Sequence, residues 1–125
     1  FILTMRDDED QWFNSIINFH SKLFSNIKDK VPSEQDLSNA NYIYKGFILD
    51  FFKWFFDYPK VPLYDKKIYK NMYLQHIDDV KVYFRKRPND LLVLNVSEKN
   101  AFQKLGKYLD VSVKLNEKFP WENKT

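Results

Sequence analysis

The chain has 125 residues, enough for one domain with one modest core. Aromatic residues make up 18% of it, which excludes a disordered chain and points to a packed globular one. The absence of cysteine excludes disulfides and thiolate metal sites, and a net charge of +3 is too small by itself to argue for a nucleic-acid partner.

Residues 1–5, Phe-Ile-Leu-Thr-Met, read as a short strand. Its apolar start suits a strand covered on both faces, as in a parallel sheet. Arg6 and Asp7 fall where that strand ends, and the acidic run that follows opens a helix, where carboxylates favour the positive end of the dipole. In open α/β sheets ligands sit beyond the carboxyl ends of the strands. Arg6 thus stands where an anion would be held, and Ser15 lies about two turns further on.

The first helix is predicted over about residues 8–28, capped by Asp7 or Asp8, with Trp12, Phe13, Ile16, Ile17, Phe19, Leu23, Phe24 and Ile27 as its apolar stripe and Pro32 as its stop. Ser33 and Asp36 have the spacing of a capping box, so a second helix is expected over about residues 33–57. Its second half, from Phe47 to Phe56, is apolar almost all round; a buried core helix competes there with a helix that covers a ligand or partner. Pro59 and Pro62 stiffen the next loop. Asp65 then caps a third helix, over about residues 65–87, whose basic end Arg85-Lys86-Arg87 meets Pro88.

Residues 91–96, Leu-Leu-Val-Leu-Asn-Val, form the second clear strand, again expected to be central and parallel. Residues 97–100 should cap a fourth helix carrying Ala101, Phe102, Leu105 and Leu109, and Phe119-Pro120-Trp121 should anchor the tail. The order is strand, three helices, strand, helix. Two strands make no stable parallel sheet alone, so further strands are expected upstream. The chain opens directly on a strand-like run without an initiator Met, and it reads as the C-terminal part of a longer protein. No apolar run approaches the roughly 18 residues of a membrane span.

The opening stretch resembles the strand–turn–helix of the sulfotransferase superfamily: an apolar strand with Thr4, then Arg6-Asp7, Trp12 and, three residues on, Ser15. The turn between Arg6 and Trp12 is one residue longer than is usual in that family. The later run is similar to the same superfamily's later section: Tyr69, Tyr73, His76, Val80, Tyr83-Phe84, Arg87-Pro88, Asp90 to Leu94, then Leu105, Leu109, Phe119-Pro120 and Asn123. The resemblance thus covers nearly the whole chain. It implies an α/β fold, part of a P-loop-type domain with a parallel sheet flanked by helices. It implies transfer of a sulfuryl group from 3′-phosphoadenosine 5′-phosphosulfate to a hydroxyl or amine on a small-molecule or carbohydrate acceptor. By the same resemblance Arg6 and Ser15 bind the 3′-phosphate of that donor. In the family the Gly-rich phosphate loop and the catalytic acid/base lie upstream of this stretch; neither Gly46 nor Gly106 stands in such a context, and catalytic residues are not assigned.

Each candidate has a plainer alternative. Arg6 could pair with Asp7, Asp8 or Asp10, and Ser15 could be a surface serine. His76 is expected to be a packed or capping residue and His20 to be exposed; no histidine pair has metal-ligand spacing, so no metal is expected. Arg85-Lys86-Arg87 reads as a solvated helix end before it reads as a phosphate or sulfated-glycan contact. Trp54 and its phenylalanine neighbours read as core before they read as an adenine or acceptor pocket. From a different class, the chain could be a helical interaction module that catalyses nothing.

Overall fold

A computed structural model describes residues 1–119. The chain runs β1 (Ile2–Met5), α1 (Glu9–Phe24), α2 (Glu34–Asn39), α3 (Phe47–Phe56), α4 (Lys66–Phe84), a 3-10 turn (Pro88–Asp90), β2 (Leu92–Asn95) and α5 (Ala101–Tyr108). The described residues form two compact units: Phe1–Trp12 with residues 70–119, and Phe13–Tyr69. The architecture is helix-rich α/β, with a small parallel sheet flanked by helices.

In the first unit, β1 and β2 pair in parallel with Leu3 opposite Val93 and Met5 opposite Asn95. Paired residues of a pleated sheet share a face, so this register sends Leu3 and Leu94 to opposite faces. Both are buried, as continuous apolar strands require, while Ile2 and Val93 remain exposed. Coverage of both faces is therefore confined to these central positions. Leu3 packs with Tyr73 and Ile77 of α4, with Met5, Trp12, Val80 and Leu91 around them. α5 packs beside β2. Within α5, Gly106 is needed for contact: a Cβ there would stand 2.3 Å from Val113 Cγ2 and 2.9 Å from the Val111 carbonyl oxygen. The returning chain is also held by the Gln103 amide, which donates to the carbonyls of Lys114, Leu115 and Glu117. Phe119 meets Phe102 edge-on at 5.1 Å, so the first residue of the expected tail anchor does pack; Pro120, Trp121 and Asn123 lie outside the described residues.

The second unit is built on aromatic packing. Phe13, Leu37, Ile48, Leu49, Phe52, Phe56, Tyr64 and Tyr69 form its buried hydrophobic core. Phe56 and Tyr69 stack at 4.2 Å with rings 2° from parallel, and Phe52 meets Tyr64 at 4.9 Å. Burying side chains of this size contributes roughly 1.5–3 kcal/mol each.

Several element ends differ from the sequence expectation. α1 stops at Phe24 rather than near Lys28. The Ser25 hydroxyl donates to the Ile27 carbonyl and accepts from the Ile27 N–H, a local closure that competes with the helix. The single second helix is two helices. The Ser33–Asp36 capping box is formed as expected, but α2 ends at Asn39, and α3 starts only after Gly46, whose φ of 86° no other residue type adopts cheaply. An isolated bridge between Asn41 and Lys45 closes the turn that separates them. Finally, residues 97–100 form turns and supply no side-chain cap to α5; Asn95 Oδ1 instead accepts from the Ser97 N–H at 2.9 Å.

Candidate functional site

The carboxyl edge of the sheet is assembled from β1, β2, the start of α1 and α4. Arg6 follows β1 directly and is half-buried. Its backbone N–H donates to the Tyr73 hydroxyl at 3.0 Å, which fixes the chain where it leaves the sheet. Tyr73 is itself buried and stacks on Trp12 at 4.6 Å. The two aromatics of the family-like pattern thus form the floor under the strand end.

The acidic turn is ordered by its own side chains. Asp8 caps α1: its carboxylate accepts from the Gln11 N–H at 2.6 Å, and its carbonyl accepts from the Trp12 N–H at 3.2 Å. Asp7 is gripped from two sides. Gln11 Nε2 donates to Asp7 Oδ2 at 2.9 Å, and Asn95 Nδ2 donates to Asp7 Oδ1 at 2.6 Å. The second of these bonds ties the end of β2 to the end of β1. Lys70 of α4 holds the remaining acids, with its ammonium 2.7 Å from Asp10 and 3.4 Å from Glu9. The hydrogen bond to Asp10 pushes the Lys70 pKa upward, so this lysine stays cationic.

Asp7, Asp8 and Asp10 each have the partner just named, and among the described residues the Arg6 guanidinium forms no ion pair with any of them. The plainer alternative for Arg6, neutralisation by its acidic neighbours, is not what the fold adopts. Ser15 lies on α1, half-buried, with no hydrogen bond to its hydroxyl among the described residues. It belongs to the second compact unit and Arg6 to the first.

The histidines depart from expectation. His76 is exposed rather than packed. His20 is largely buried rather than exposed: its Nδ1 lies 3.0 Å from the Tyr64 hydroxyl, and its ring meets Phe24 edge-on at 5.2 Å. Burial pushes its pKa down to about 4 and pushes the Tyr64 hydroxyl up. α4 stops at Phe84 rather than near Arg87, so Arg85-Lys86-Arg87 follows the helix, and Arg87 lays its guanidinium over the Tyr83 and Phe84 rings at 4.7 and 4.8 Å, a cation–π contact. On α3, Phe52 and Phe56 are core, whereas Trp54 is 72% and Phe55 57% exposed. Sequence reasoning missed Tyr73, Asn95, Gln11 and Lys70 as organisers of the strand end. The one usable signal was Asn95, a polar residue inside an otherwise apolar strand.

Among the described residues no group of His, Asp and Glu side chains could hold a metal ion, and no helix is long and apolar enough to cross a membrane.

A parallel strand pair flanked by helices defines a helix-rich α/β domain. The family model for the sulfotransferase domain matches residues 1–125, and the chain belongs to that family. Neither a curated protein nor a solved structure matches it. Membership supports a sulfotransferase-type function and an acceptor of the small-molecule class.

Proposed function

We propose that this chain is the donor-binding, C-terminal part of a sulfotransferase domain. It would hold 3′-phosphoadenosine 5′-phosphosulfate for transfer of the sulfuryl group to a hydroxyl or amine. Arg6 and Ser15 would bind the donor's 3′-phosphate, in a positioning role rather than in proton transfer. The observation that carries this reading is the Arg6 guanidinium, positioned at the strand end yet unpaired with its own acidic turn. A guanidinium offers phosphate a planar, bidentate fork, and a hydroxyl adds a donor of the same polarity. The acids beside it are each engaged by Gln11, Asn95 or Lys70, which lowers their competition for the cation.

Calorimetric titration with 3′-phosphoadenosine 5′-phosphate tests the assignment. Loss of a charge-assisted contact of about 1.5–3 kcal/mol predicts that Arg6→Ala binds roughly 10- to 100-fold more weakly. Binding unchanged after Arg6 and Ser15 are both replaced by alanine would overturn it.

A second reading, a helical interaction module, draws on the outward face of α3, where Phe51, Trp54 and Phe55 are exposed. The family match favours the first.

A further inference from the structure

Within the second unit, a groove of about 370 Å³ opens between the end of α1, α2 and the α2–α3 connection. Cavities that hold small ligands span roughly 300–1,000 Å³. Its walls are of two kinds. Phe24 and Tyr42 supply aromatic surface, their rings edge-on at 5.9 Å, with Tyr42 59% exposed. Asn26, Asn39 and Asn41 supply carboxamides, and Asp36 a carboxylate.

The polar groups are not equally committed. Asp36 accepts from the Ser33 N–H and hydroxyl and from the Asn26 amide, and these bonds hold its carboxyl below the usual range. It is a fixed negative charge that orients Asn26. The side-chain amides of Asn39 and Asn41 have no hydrogen bond among the described residues. Each offers a donor pair and an acceptor, the combination that satisfies hydroxyls, which both give and take. The lining contains no Lys or Arg, so nothing there matches a phosphate or sulfate, and Asp36 disfavours one.

We infer that this groove binds an uncharged sugar, with Asn39 and Asn41 on its hydroxyls and the Phe24 and Tyr42 rings against its C–H faces.

The test uses the whole chain, without donor, and saturation-transfer NMR with N-acetylglucosamine, galactose and lactose at millimolar concentration. N-acetylglucosamine 6-sulfate serves as the charged comparison. At least one neutral sugar should receive saturation, and the sulfated one should bind more weakly than its neutral parent. Losing two hydrogen-bonding amides in the Asn39→Leu, Asn41→Leu double variant should weaken binding about tenfold. Tyr42→Ala, at an exposed position, should weaken it without altering the melting temperature. No transfer to any neutral sugar, equal affinity in the variants, or a sulfated sugar that binds as well as its parent would overturn the inference. Because donor is absent, none of these outcomes bears on Arg6 and the 3′-phosphate.

Discussion

The Tyr73 hydroxyl accepts the backbone N–H of Arg6 at 3.0 Å, so a helix 67 residues away in sequence sets the exit direction of the first strand. Replacing Tyr73 by Phe keeps the ring stacked on Trp12 and removes only that acceptor. The part-buried N–H is then left unmatched, at a cost of roughly 1 kcal/mol or somewhat more. Tyr73→Phe should therefore lower the melting temperature modestly and also weaken binding of 3′-phosphoadenosine 5′-phosphate. Calorimetry and thermal unfolding on the same preparation check both; a lowered melting temperature with donor affinity intact would show that Tyr73 supports the fold without supporting the site.

Gly106 offers a sign test. In a helix interior alanine is ordinarily preferred over glycine by about 1 kcal/mol. Here a Cβ would run into Val113 at 2.3 Å and the Val111 carbonyl at 2.9 Å, and the second obstacle is backbone. Overpacking of this kind costs typically 1–3 kcal/mol and should outweigh the helix preference. Gly106→Ala is expected to destabilise, as measured by denaturant midpoint at an unchanged slope.

His20 should make stability depend on pH. Its folded pKa, about 4, lies below the ordinary 6.5, because burial disfavours the imidazolium. The unfolded chain therefore binds more protons between those values, and stability rises with pH across that window. The stabilisation from neutral His20 is complete above 6.5 and is lost as pH falls towards 4. Thermal unfolding of the wild type and His20→Gln from pH 7 to pH 4 isolates this contribution, since the other groups are common to both proteins. The wild type should lose more stability than the variant over the window.

The capping box at Ser33 supports α2, a helix of six residues that cannot persist on propensity alone. Ser33→Ala removes the acceptor for the Asp36 N–H and a donor to its carboxylate. The expected loss is about 1 kcal/mol, read as a lower melting temperature.

Some of this organisation was legible in advance. The two strands, their parallel pairing and the Ser33–Asp36 cap follow from apolar runs and local spacing, and the resemblance to sulfotransferases follows from the order of Arg6, Trp12 and Ser15. The break between α2 and α3 was less legible. The apolar stripe runs on through it, and only Gly46 marks the place where the backbone turns left-handed. His20 was misjudged for a related reason: its partner Tyr64 lies 44 residues away, beyond any local pattern.

The sequence by itself determined the α/β class, the family and the position of Arg6 at a strand end. These depend on hydrophobic runs, turn residues and spacing, all properties of neighbours along the chain. Tertiary structure alone decided that Asp7 would be held by Asn95, Asp10 by Lys70, and the Arg6 N–H by Tyr73. It also decided that the Arg6 guanidinium would form no ion pair with Asp7, Asp8 or Asp10. Most of these bonds join segments 60 or more residues apart, and such partners are chosen by packing, which a linear pattern does not encode.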